Sequence, residues 1–199
     1  MWIRRLPVCP RYLSFLEPLR SSIISSTQKL PRLDISVTVS EVLEIFPLKI
    51  LPNLIQLNVR IPTRPGATRP LFDLLERHNV PVKFVLEGCA GDLNRDLIIC
   101  IDSDAFSSFE GELNEVTTRM QAQSLELKKS VAVVRVLGPH FDLRPGVSGL
   151  LFQALEQAGV TVFSVATTIT SCMCVIPEDQ IDAAERAIGR TFDVPKKKK

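Results

Sequence analysis

The chain reads as an α+β protein: two ferredoxin-like βαββαβ units packed side by side, with strands exchanged between them. Three observations predict this. The first is an internal repeat. Arg64, Pro65 and Gly66 recur 80 positions on as Arg144, Pro145 and Gly146; Leu71 and Phe72 as Leu151 and Phe152; Leu75 and Glu76 as Leu155 and Glu156; Val80 and Val82 as Val160 and Val162. A constant offset through a loop, a helix and the following strand marks a duplicated supersecondary unit. The second is that both copies show the same order of periodicities, β-α-β-β-α, the split βαβ arrangement with helices on one face of an antiparallel sheet. The third is a missing piece. That arrangement needs a fourth strand, and after Phe192 the second copy has only Asp193, Val194, Pro195 and four lysines.

The elements follow in order. Residues 1–33 hold Arg4, Arg5, Arg11, Arg20, Lys29 and Arg32 against one acid, Glu17, with serines at 21, 22, 25 and 26. This composition is like that of an organelle transit peptide but has no clean apolar segment for secretion; the expectation is a disordered basic leader. Residues 40–46 read as a short helix capped by Ser40, with Val42, Leu43, Ile45 and Phe46 inward. Residues 48–51 are a brief apolar run. In 54–61, Ile55, Leu57, Val59 and Ile61 alternate with Gln56, Asn58 and Arg60, the period of a half-buried strand. A helix is expected over 67–78, with Leu71, Leu74, Leu75 and His78 on one stripe and Pro70 in its first turn. Strands at 80–86 and 97–101 flank a polar loop at 88–95. Ser107 or Ser108 then caps a helix carrying Phe109, Leu113, Val116 and Met120.

The second copy runs strand 131–137, loop 138–146, helix 147–158, strands 160–166 and 172–176, and a last helix over 177–192 with Ile181, Ala184, Ile188 and Phe192 inward. Residues 124–127 can serve as the fourth strand of the first unit. That of the second must come from upstream, either 48–51 or 35–39. The expected domains are therefore a leader (1–33), a first unit with an N-terminal extension (34–128), a second unit (129–195) and a lysine tail (196–199).

Bulk properties exclude several function classes. The net charge is +2, from 24 basic and 22 acidic residues scattered through the repeats. No basic stripe is present to neutralise phosphates, so nucleic acid is not an expected partner. No apolar run reaches the roughly 18–20 residues that span a bilayer, so no membrane role is expected. Five cysteines (Cys9, Cys89, Cys100, Cys172 and Cys174) without a C-x-x-C pair suit a reducing cytosol, and the expected location is cytoplasmic. Units of about 70–80 residues sit near the low end of self-sufficient cores and need a partner, each other above all.

The stretch Ile61, Pro62, Thr63, Arg64, Pro65, Gly66, followed by Leu71, Phe72, Leu75, Glu76, Val80 and Val82, resembles the ACT domain. More narrowly, residues 54–192 resemble the tandem ACT pair at the carboxyl end of aspartate kinases. There the first unit reads roughly L-P-D-R-P-G and the second roughly G-x-x-x-x-x-x-P-G-V; here the second runs from Gly138 to Val147. The acidic turns at Asp102 to Asp104 and at Glu178 and Asp179 also fit. The resemblance implies a regulatory protein that binds an amino acid near this loop, at the interface between paired units. It also implies a homodimer or a separate catalytic subunit as partner. Carried over, the candidate contacts are Thr63, Arg64, Gly66, Ala67, Glu87 and Gly88 in the first copy. In the second they are His140, Asp142, Arg144, Gly146 and Val147.

The loop chemistry agrees: Pro fixes φ, Gly lets backbone approach closely, and a helix start presents unsatisfied N–H groups to a carboxylate. A blander role, starting a helix and supporting pairing, stays open. The chain departs from the family at Thr63 (usually Asp), at Glu87 and Gly88 (usually Gln-Asn), and at Thr168 and Ile169 (often Ser-Glu). Those changes imply a different ligand, or none. No catalytic residue, cofactor or metal site is expected. His78 reads as a packed side chain, His140 and Asp142 lack a third ligand nearby, and nucleotide, nucleophile-elbow and zinc-protease motifs are absent, as is the Lys-Gly-Gly start of a kinase catalytic domain.

Overall fold

In the computed structural model, residues 43–46, 48–91, 93–138, 141 and 145–193 are described. Eight strands and five α-helices follow in the order β1 (Leu43–Glu44), β2 (Lys49–Pro62), α1 (Arg69–Arg77), β3 (Phe84–Cys89), β4 (Asn94–Asp102), α2 (Ser103–Phe106), α3 (Leu113–Met120), β5 (Ser124–Leu137), α4 (Val147–Gln157), β6 (Ser164–Thr167), β7 (Ser171–Pro177), α5 (Ile181–Thr191) and β8 (Phe192–Asp193). Short 3₁₀ turns lead into α3 and α5. β2 to β7 form one antiparallel sheet in the order β3-β4-β2-β5-β7-β6.

The two long strands hold the architecture. β2 and β5 are each 14 residues and pair along both halves. Leu54 faces Val131, and the ladder is symmetric about that pair: Leu57 opposite Leu127 becomes Ile50 opposite Val134, and Asn58 opposite Glu126 becomes Lys49 opposite Arg135. A shift of 77 positions converts one half into the other. Each strand is interrupted just before this pair by a residue in the left-handed region, Asn53 at φ 56° and Ser130 at φ 54°, where the register slips.

The first unit is thus β2 from Leu54, α1, β3, β4, α3 and the first half of β5. The second is the remainder of β5, α4, β6, β7, α5 and, as its fourth strand, Lys49 to Leu51 from the start of β2. The exchange expected from the missing strand is what the ladder contains, and 48–51 rather than 35–39 supplies it; 35–39 lies outside the described residues.

Alternation along the strands makes three cores. Ile55, Leu57, Val59 and Ile61 pack with Leu97, Ile99 and Ile101 under α1 and α3. Ala132, Val134, Val136, Cys172, Cys174 and Ile176 pack under α4 and α5. The opposite face holds Leu54, Phe84, Cys100, Val131, Val133 and Val175, enclosed because the sheet curls until edge strands β3 and β6 approach each other. Full burial of each such aliphatic chain contributes about 1.5–3 kcal/mol.

Three expectations are corrected. Leu43 and Glu44 are strand, not helix: they pair in parallel with Phe192 and Asp193, and Ile45 is 2% exposed in the second core. Tertiary pairing overrides the weak helical spacing there. Conversely, the chain after α5 does form a strand, the two residues of β8. The expected polar loop at 88–95 is shorter, because β3 runs to Cys89 and β4 starts at Asn94. Among the cysteines, Cys100, Cys172 and Cys174 are buried and Cys89 is exposed; burial pushes the Cys100 thiol up to about 12.

Candidate functional site

Each copy of the repeated loop leaves the end of a long strand and turns into a helix, with the next hairpin beneath it. In the first copy the turn is tight. Thr63 N–H donates to the Leu93 carbonyl at 2.8 Å, Arg64 N–H to the Pro62 carbonyl at 2.9 Å, and Arg69 N–H to the Gly66 carbonyl at 3.2 Å. Gly66 sits at φ 74°, which a residue with a Cβ rarely adopts. Ala67 is fully buried and pins the turn, while Thr63, Arg64 and Gly66 are exposed.

The structure brings Arg64 and Glu87 together through a residue the sequence reading passed over. Arg95, at the start of β4, is ion-paired with Glu87 through Nη1, and its Nη2 donates to the Arg64 carbonyl at 3.0 Å. Arg64 Nη2 in turn donates to the Arg119 carbonyl at 3.4 Å, tying the turn to the end of α3. Gly88 lies in β3 opposite Asp96, whose carboxyl is held below its ordinary range by its paired hydrogen bonds from Arg60 at 2.8 and 3.0 Å. Cross-strand register is the signal that identifies Arg95: it stands opposite Cys89 and Ile61, next to Glu87 on the helix-facing side.

The second copy has the same frame with different contents. Gly146, at φ 91°, is the N-cap of α4 and makes no side-chain cap; its carbonyl accepts from Leu150 N–H at 2.9 Å. Val147 is buried against the second core. Gly138 N–H donates to the Thr170 carbonyl at 2.9 Å and Phe141 N–H to the Ile169 carbonyl at 3.0 Å, prolonging the β5–β7 ladder. Between β6 and β7 the chain reverses on Thr168. Its hydroxyl accepts from Ser171 N–H at 3.0 Å and lies 2.8 Å from the Ser171 hydroxyl.

Beneath α4 a cavity of about 480 Å³ is lined by Phe141, Ser148, Thr167, Thr168, Ile169, Ser171 and Cys172. Hydroxyls and apolar groups line it, and no charged side chain among the described residues does. His140, Asp142 and Arg144 lie outside the described residues. Ser148, Thr167 and Ser171 were not legible as site residues beforehand; only Thr168 and Ile169 were marked, as a departure.

The paired ladders relate the two copies position by position. Thr167 stands opposite Cys172 as Glu87 stands opposite Leu97. Thr170 bonds to Gly138 as Arg95 pairs with Ile61. The ion pair of the first copy is therefore replaced by two threonines in the second, where no tethered cation stands at these positions.

The sequence model of the ACT domain family matches residues 134–192. Residues 134–192 are an ACT domain. The match covers the second unit, and the first has the same strand order and helix placement. The chain is 24% identical over 140 residues to an aspartokinase of Thermus thermophilus, covering 69% of this chain and 34% of that protein. It thus spans about a third of the length of the curated relative it matches. Among solved structures, the regulatory subunit of aspartate kinase from Thermus thermophilus, in its ligand-free form, superposes with a TM-score of 0.67 at 21% identity, covering 76% of this chain and 99% of that one. A structure of aspartokinase alpha and beta subunits gives a TM-score of 0.67 at 19% identity, covering 75% of this chain and 99% of that one. About three quarters of this chain therefore has the fold of the solved aspartate kinase regulatory subunit. No described helix is long and apolar enough to cross a membrane.

Proposed function

We propose that this chain is a non-catalytic ACT-pair regulator that binds a small amino acid, with the cleft beneath α4 as the effector place. The open cavity at the repeated loop carries the reading. The N–H groups of α4's first turn, at Val147, Ser148 and Gly149, meet an effector carboxylate, where the helix dipole adds to their attraction. Ser148, Thr168 and Ser171 offer hydroxyls, and Phe141 and Ile169 offer apolar surface. With no charge among these lining groups, an effector with an uncharged side chain fits best. Asp142 is the proposed partner of its ammonium group, and His140 and Arg144 remain proposed contacts on the same loop. In the first copy Thr63, Arg64, Gly66, Ala67, Glu87 and Gly88 frame the corresponding cleft.

Regulation requires the effector to favour one of two pairing geometries. The proposed partner on this reading is a second copy of the chain. A second reading makes the chain the regulatory subunit of a separate aspartate kinase catalytic chain; the likeness to a structure holding aspartokinase alpha and beta subunits favours it. Co-purification with a catalytic subunit supports that reading, and a self-associating dimer with no kinase attached counts against it.

Calorimetry and thermal melting against the twenty amino acids test the proposal. An effector at one hundred times its Kd adds about 2.7 kcal/mol. At roughly 2–4 °C per kcal/mol for a protein of this size, the midpoint rises by about 5–10 °C. Ser148→Trp, which fills the cavity from the first turn of α4, abolishes the heat and the shift while leaving the melting curve cooperative. No response to any amino acid, in a protein that melts cooperatively, defeats the sensor reading.

A further inference from the structure

The duplication provides an internal control: an open cavity in the second copy and, at the equivalent positions of the first, an ion pair made by Arg95. Its guanidinium reaches Glu87, the only acid among the first-copy candidates, and also holds the carbonyl of Arg64 at 3.0 Å. The side chain is 27% exposed, and its Nε is buried with no hydrogen-bond partner among the described residues. A cation that meets one carboxylate and one loop carbonyl, with a third donor unused, occupies its place by tethering rather than by a fully matched set of bonds. The corresponding residue of the second copy is Thr170, which leaves its cleft open.

We propose that the first cleft is a cation place occupied by the chain's own Arg95. One effector place per chain then remains, and removing the guanidinium uncovers a second that accepts a small guanidinium or the ammonium group of an amino acid opposite Glu87. The count of one per chain rests on the effector reading above; the occupancy of the first cleft by Arg95 does not. The cause is electrostatic. Glu87 is already ion-paired with Arg95, so a free ammonium group gains little there while the tethered guanidinium, at high effective concentration, stays bound.

The test is chemical rescue of Arg95→Ala with methylguanidinium chloride at millimolar concentration, followed by the melting midpoint. The expected result is a saturable rise in midpoint in the variant. It is absent from the wild type, where the place is full, and from Arg95→Ala combined with Glu87→Gln, where the carboxylate is gone. Should Arg95→Ala not fold unaided, refolding with and without methylguanidinium gives the same reading: recovery of folded protein supports the proposal, and no recovery overturns it. A midpoint that moves equally in all three proteins, or in none, also overturns it. Calorimetry of the wild type separates the two claims. Two amino acids per chain overturn the Arg95 proposal, whereas none per chain, alongside successful rescue, overturns only the effector reading.

Discussion

Between α1 and the turn before α3, Nε2 of His78 lies 2.7 Å from Oε1 of Glu112, and Nη2 of Arg77 lies 3.0 Å from Oε2. The His78 ring also packs on Phe109, 5.7 Å between centroids. The sequence spacing placed His78 on the inward stripe as a packed side chain; the carboxylate partner was not legible, because Glu112 is 34 positions away and lies in a 3₁₀ turn. The hydrogen bond from His78, and then the Arg77 charge, hold the Glu112 carboxyl below its ordinary 4.5. A carboxyl whose folded value is depressed contributes stability that is full above 4.5 and is lost as the pH falls through the lower folded value. Glu112→Gln therefore flattens the acid limb of a plot of melting midpoint against pH below about 4.5. An unchanged acid limb in the variant would show that the contact is only geometric. In the second copy the repeat places Ala158 where His78 stands, and a groove of about 430 Å³ opens there between α4 and α5, lined by Ala154, Ala158, Ala183 and Ala187 among others.

Among the elements, β2 and β5 were the least legible as whole strands and the most legible in their parts. In 54–61 the sequence alternates cleanly, while 131–137 is a short apolar run broken only by Arg135, so both could be read as strands directly. The outer halves, 49–51 and 124–127, are too short for a period. They were inferred from topology, because each unit needs a fourth strand. The joints between halves left no pattern, since a single residue in the left-handed region sets each one. Both residues bring a Cβ close to the following carbonyl there, but Asn tolerates the region better than Ser because its side-chain amide hydrogen-bonds locally. Ser130→Gly is therefore expected to raise stability by roughly 0.5–1 kcal/mol, while Asn53→Gly stays near neutral. Chemical denaturation of the two variants checks this. A loss of stability in Ser130→Gly would mean that the Ser130 side chain holds the joint and the strain argument fails. The helix expected to be capped at Ser107 or Ser108 starts only at Leu113, after a 3₁₀ turn, and a separate short helix, α2, precedes it; Phe106 and Phe109 are both buried and meet edge-on at 5.5 Å.

At the scale of the molecule, the exchange makes neither unit complete alone. The second unit's own sequence, 129–195, lacks three strand residues, Lys49 to Leu51, and the buried Ile45. Leu48 and Ile50 also pack against its core. Ile45 is further held by hydrogen bonds at its borders, its own N–H to the Asp193 carbonyl at 3.0 Å and Phe46 N–H to the Leu137 carbonyl at 2.8 Å. Gln123 N–H donates to the Arg60 carbonyl at the matching place in the first unit, at 2.8 Å, but there the chain runs on continuously from α3. Burying Ile45 alone contributes about 1.5–3 kcal/mol. A unit of this length has only some 3–10 kcal/mol in total. Losing the strand also exposes the edge of β5 from Val131 onward to solvent and to other edges. A fragment of 129–195 is therefore expected to show no cooperative melt by circular dichroism. Adding a peptide of residues 43–53 in trans should restore one, with a midpoint that rises with peptide concentration as mass action requires. A cooperative melt of the fragment by itself would show that the borrowed strand is dispensable. The two units would then be joined by pairing alone, and an effector bound in one would have no packed route through β2 and β5 to the other.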